Sequence, residues 1–137
     1  MIEQRPSHVF WVYVFIVYGA LLLALSAFKS AEVALPTVYG IERWLGGDKW
    51  MHFKLSGILA ILACFASERV LDLAAIKRTL RVFPVLVLAL AIDEALQFLT
   101  ATRRFEFLDL VWGVSGLLSG ALGYLLVVFI RDGVTHH

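Results

Sequence analysis

An uncharged apolar segment near the start of the chain most constrains the fold. Val9 to Phe28 supplies twenty residues without an acidic or basic side chain. A helix needs about 20 mostly apolar residues to cross a bilayer. The apolar core of a signal peptide is shorter, about 7–15 residues. The segment is therefore predicted to be a retained membrane-spanning helix.

The composition also favours a membrane protein. Apolar residues make up 61% of the 137 positions, whereas soluble domains contain roughly 45–50%. One domain of this length cannot bury so much apolar surface, so the excess is expected to face lipid. The 12 basic residues nearly balance the 11 acidic ones, and the sequence has no basic stripe of the kind that binds nucleic acid. The one cysteine, Cys64, excludes an intramolecular disulfide and is expected to pack inertly.

Further apolar segments predict an all-α fold with a single domain over residues 1–137. We expect a four-helix transmembrane bundle with up-down antiparallel topology, because the linkers are short. The predicted spans cover about 9–28, 51–66, 82–99 and 107–130.

The connection between the first two spans has a distinctive composition. Residues 38–45 mix aromatic, apolar and charged side chains, which predicts a short helix lying in the membrane interface. Tyr39, Trp44 and Trp50 would then lie at headgroup level. Lysine and arginine counts tie at six on each side of the membrane. The basic cluster at residues 77–81 favours cytoplasmic N- and C-termini.

Polar residues are predicted to gather at one membrane face. With alternating helices, the third span ends on the side where the second and fourth begin. Ionisable groups inside spans are costly and usually mark a functional site. The candidate ligand-binding residues are Asp48, Lys49, His52, Asp93, Glu94, Gln97, Arg103 and Asp109.

Two of these residues lie well inside the third span. Asp93 and Glu94 are roughly 8–9 Å below its end, at 1.5 Å per residue. Both cannot face lipid as bare anions, so either a cation meets them or one holds a proton. The arginines of residues 100–106 are the natural partners, because guanidinium binds carboxylate bidentately. Lys49 and His52 are the alternatives.

Glycines recur along one face of the fourth span. They are Gly113, Gly116, Gly120 and Gly123, at steps of three, four and three. Such a face lets another helix approach closely. We interpret it first as packing within the chain, and second as a contact between two copies.

Three short motifs in the sequence match the pattern of a known protein family. They are Asp48-Lys49-x-x-His52-Phe53, Asp93-Glu94-x-x-Gln97, and Arg103 followed by Asp109 and Gly116. In this order they resemble the VanZ-like family of small bacterial integral membrane proteins, over about residues 9–130.

The resemblance implies a multi-pass protein of the bacterial cytoplasmic (inner) membrane. It also implies a link to the cell envelope, since the named member is associated with resistance to the lipid-bearing glycopeptide teicoplanin. One position departs from the family pattern: an asparagine is usual where this chain has Gly113.

Several functions are compatible with this pattern. The first is binding of a lipid or lipid-linked headgroup by a pocket with both signs of charge. The second is an accessory or structural subunit of a larger membrane complex, in which the polar residues only join helices. The third is a lipid-acting hydrolase or transferase, with His52, Asp93 and Glu94 as acid–base candidates. The sequence offers no convincing nucleophile for it.

Cofactors and partners follow from the same residues. One histidine and two carboxylates, His52, Glu94 and Asp109, are a conceivable set for iron or manganese. A second histidine within the spans is missing, so we expect neither a metal nor another cofactor. The expected partners are membrane lipids, and a membrane protein or a second copy at the glycine face.

Overall fold

The computed structural model describes residues 6–30, 35–71, 73–99 and 107–135. Within these ranges the secondary structure is helical, which confirms the prediction of an all-α protein. The helices are α1 (Pro6–Ser30), α2 (Leu35–Trp44), α3 (Asp48–Val70), α4 (Ala75–Phe98) and α5 (Phe107–Thr135).

Three of the described helices are long and apolar enough to cross a membrane. The segments are Val9–Phe28, Lys49–Val70 and Phe107–Asp132. The second predicted span, 51–66, lies inside α3, which continues for four residues beyond Ala66. Ser67 is buried there and its hydroxyl donates to the Cys64 carbonyl, 2.6 Å away.

The predicted span 82–99 falls largely inside α4, whose uncharged stretch is shorter than those of the other long helices. Lys77, Arg78 and Arg81 lie near its start, and Asp93 and Glu94 lie near its end. For this reason α4 does not join the three candidate spans. The coarse prediction of a helical protein with apolar, membrane-length helices is confirmed.

A short helix stands between the first two long ones, where the sequence predicts it. The turn from α2 to α3 passes through Gly46 and Gly47, with φ angles of 98° and 108°. Glycine adopts this backbone conformation without the steric cost that a Cβ brings. Within α2, Val38 is buried whereas Trp44 is 84% exposed. The helix therefore has one face against the protein and one face outward.

Helix α3 occupies the centre of the packing, since it contacts α1, α4 and α5. Ala60 and Ala63 of α3 form a core cluster with Leu86 of α4 and Leu117 of α5. Cys64 is buried in a second cluster beside Tyr124. Small residues on α3 keep these contacts close.

Glycines set the distance between α3 and α5. A Cβ added at Gly116 would overlap the carbonyl oxygen of Phe53, and one added at Gly120 would overlap that of Gly57. Helix α3 therefore covers these two glycines within one chain. A contact between two copies through them would require α3 and α5 to separate.

The other two glycines of the series have different surroundings. A Cβ at Gly113 would lie 3.1 Å from Leu90 Cδ1 and 3.4 Å from Ser56 Oγ. A Cβ at Gly123 would meet nothing within 4 Å. The close approach thus covers only part of the glycine face.

Candidate functional site

Three ionisable side chains from three helices converge near the first turns of α3 and α5 and the last turns of α4. His52 comes from α3, Glu94 from α4 and Asp109 from α5. Each contributes one nitrogen or oxygen, and these atoms lie within 4.8 Å of one another. Glu94 and Asp109 are 4% and 5% exposed. All three are candidate site residues by sequence, and the fold brings them together.

Asp109 is the centre of this group. It lies in the first turn of α5, where the helix dipole favours a carboxylate. Lys49 Nζ donates to its Oδ1 atom, and His52 Nε2 is 3.5 Å from its Oδ2 atom. Lys49 and His52 are three residues apart on α3 and so share a face. They approach different oxygens of the same carboxylate.

A second group of polar side chains joins α4 to α1. The Gln97 amide donates to Asp93 Oδ2 at 2.8 Å and to the Ser26 hydroxyl at 3.0 Å. The Ser26 hydroxyl donates to Asp93 Oδ1 at 3.1 Å. Both oxygens of Asp93 therefore accept a hydrogen bond.

Ser26 belongs to the site but was not predicted from the sequence. It is a single serine in an otherwise apolar span, and such residues commonly hydrogen-bond across helices in membranes. That rule marks Ser26 as a candidate, but the sequence alone does not name its partners.

Two further predicted site residues are Asp48 and Arg103. Asp48 is the first residue of α3, and Arg103 lies outside the described residues, as does the rest of 100–106. The bulky Trp112, which precedes Gly113 in the sequence, packs against another tryptophan. Its ring meets that of Trp50 edge-on, with centroids 5.1 Å apart.

A largely apolar cavity lies next to these polar groups. Its volume is about 550 Å³, and it lies between α1, α3 and α4. Most of its lining is aliphatic or aromatic, as at Phe15, Leu55 and Leu90. The polar side chains that line it are Ser26, His52, Ser56, Asp93 and Gln97. The cavity is therefore amphipathic, with polar groups supplied by all three helices.

A further polar cluster lies toward the other end of α3. The Tyr124 hydroxyl donates to Glu68 Oε1 at 2.8 Å and accepts from Arg78 at the same distance. Arg131 donates to Glu68 Oε1 at 3.1 Å. In the sequence, the basic cluster at residues 77–81, which includes Arg78, indicated only an orientation in the membrane. Tyr124 could have signalled the cluster, because a buried tyrosine hydroxyl usually has a partner.

Comparisons of the chain with protein-family models, curated proteins and solved structures gave no match. The resemblance to the VanZ-like family thus depends on the three motifs alone. A function has to be argued from the chemistry of the site.

Proposed function

We propose that this chain is a VanZ-like protein of the bacterial cytoplasmic membrane that binds a lipid or lipid-linked molecule. The hydrocarbon chain lies in the cavity, and the headgroup meets the polar side chains at one membrane face. The observation that carries this proposal is the amphipathic cavity between α1, α3 and α4.

The size and lining of the cavity suit such a ligand. Small-molecule pockets typically measure about 300–1,000 Å³ and combine apolar walls with a few placed polar groups. A volume of about 550 Å³ falls in this range. The hydroxyl of Ser26, the imidazole of His52 and the carboxylate of Asp93 offer donors and acceptors to a headgroup. The aliphatic walls exclude water from the hydrocarbon chain.

The proposal includes α4 as a fourth span in an up-down bundle. Glu94 and Gln97, near one end of α4, are buried in the protein. Polar residues in membrane helices are tolerated when they face the bundle interior. Lys77 and Arg81, near the other end, are exposed and can extend to the interface. The proposed orientation keeps both termini in the cytoplasm.

Blocking the cavity tests the proposal. Gly19 lines it, and a Cβ there meets nothing within 4 Å, so Gly19→Leu projects a side chain into the ligand's space. Gly123→Leu is the matched control, because Gly123 is equally open but does not line the cavity. Both proteins are extracted gently from the native membrane, and bound lipid is measured by native mass spectrometry.

The expected result is a stoichiometric lipid on the unmodified protein and on Gly123→Leu, with loss from Gly19→Leu. Equal retention by both variants would overturn the proposal. A stoichiometric second protein in place of lipid would favour an accessory subunit. A converted lipid whose formation stops in Glu94→Gln would favour the hydrolase or transferase alternative.

A further inference from the structure

Although the sequence alone leads us to expect no metal, the geometry of the structure leads us to propose that His52, Glu94 and Asp109 bind a divalent metal ion. This proposal does not depend on lipid binding, because it concerns the donor atoms of the chain itself. It starts from their position: three potential ligands from three helices meet in one place, with their donor atoms within 4.8 Å of one another.

The distances are close to those of a metal site. Nitrogen and oxygen ligands lie about 2.0–2.2 Å from an ion such as zinc, so two ligands in tetrahedral geometry are about 3.4 Å apart. His52 Nε2 and Asp109 Oδ2 are 3.5 Å apart. The Glu94 carboxylate is the third donor, within 4.8 Å of the other two. Small side-chain movements bring all three to a common ion.

Lys49 is compatible with this site. It binds Oδ1 of Asp109, whereas Oδ2 is the oxygen nearer to His52. The lysine therefore holds the carboxylate in place through the oxygen that the ion does not need. Hydrogen bonds from neighbouring residues commonly orient metal-binding carboxylates in this way.

Charge gives a second argument. The side chains of Glu94 and Asp109 are almost wholly buried, and buried carboxylates need compensating positive charge. A divalent ion held between the two carboxylates brings positive charge into direct contact with both of them.

The donor set indicates the class of ion. One imidazole nitrogen and two carboxylate oxygens suit manganese, iron or zinc. Softer ions such as copper(I) prefer thiolate ligands, which this set lacks. Three protein ligands leave at least one coordination position open. His52 also lines the cavity. If the proposed lipid function holds, the open position faces the headgroup and can take one of its oxygens.

Metal titration of the purified full-length protein tests the site. The protein is treated with a chelator, exchanged into metal-free buffer and titrated with Mn²⁺, and bound ion is counted by electron paramagnetic resonance. We expect one ion per chain, with a nitrogen ligand detected by electron spin-echo modulation. His52→Gln is expected to remove the nitrogen signal, and Glu94→Gln to weaken binding at least tenfold. Asp132→Asn changes an exposed carboxylate and is expected to bind like the unmodified protein.

Thermal unfolding shows whether each variant is folded, and His52→Gln serves if Glu94→Gln fails to fold. Absence of stoichiometric binding to the folded, unmodified protein would overturn the proposal. Binding that survives both substitutions unchanged would also overturn it. Lipid retention is measured separately on the chelated protein, so the failure of one proposal is distinguishable from the failure of the other.

Discussion

Gly120 of α5 lies directly against the backbone carbonyl of Gly57 of α3, with no space between them for a side chain. The two positions form a contact between backbones in the middle of the protein. Close approach of this kind replaces the interlocking of larger side chains and stabilises helix pairs in membranes by van der Waals packing.

Adding one methyl group tests this contact. Gly120→Ala is expected to lower the free energy of unfolding by about 1–3 kcal/mol, because α5 must move away from the Gly57 carbonyl. Gly123→Ala is the control, since a Cβ there meets nothing within 4 Å, and it should leave stability unchanged or slightly raised. Thermal and denaturant unfolding in detergent compare the two variants. Equal stability would mean that the helices are not in backbone contact at Gly120.

The Tyr124 hydroxyl is expected to contribute to stability. It joins Glu68 to Arg78, so Tyr124→Phe should cost about 1–3 kcal/mol through the lost hydrogen bonds in a buried setting. Tyr13→Phe removes a hydroxyl from a side chain that is 65% exposed and should have no measurable effect. Unfolding curves for the two proteins make the comparison. A similar loss in both would show that the cluster around Glu68 is not responsible.

Ser26→Ala is expected to have a small effect on stability. Hydrogen bonds between membrane helices contribute about 0.6 kcal/mol on average, and Asp93 keeps its bond from Gln97. Ser119→Ala, on the exposed side of α5, is the control. Faster hydrogen exchange near the end of α1, confined to Ser26→Ala, would report weaker docking of α1 on α4. Unchanged exchange would show that the serine does not hold these helices together.

The sequence predicted the helices better than it predicted their contacts. The uncharged segment 9–28 specifies a membrane-length helix by itself, and α1 contains it. The same segment is apolar on every side, so no stripe indicates which face meets α3 or α4. The partners of Ser26 therefore could not be inferred.

The glycine series illustrates the same limit. Periodicity places Gly120 and Gly123 on one side of α5, but only Gly120 touches α3. Two straight helices cross at an angle and separate away from the crossing point. The position of the crossing point depends on how the two helices pack in three dimensions. The spacing of glycines along one helix does not reveal it.

A double-mutant cycle tests the ion pair between Lys49 and Asp109. Lys49→Gln and Asp109→Asn are expected to show a coupling energy of about 0.5–3 kcal/mol, as neighbouring charged residues do. Lys54 is the control, because its amine donates to the Leu45 carbonyl. Lys54→Gln should therefore add to Asp109→Asn without coupling. Stability measurements on the single and double variants give both values, and equal coupling in the two cycles would rule out a specific pair.

The two polar clusters are far apart along the central helix. His52 and Glu68 are sixteen positions apart on α3, about 24 Å at 1.5 Å per residue. The core residues Ala60 and Ala63 lie between them. Substitutions separated by more than about 7–10 Å usually have independent effects. The end that contains Glu68 can therefore be engineered for greater robustness during purification, while the chemistry around His52 is left as it is.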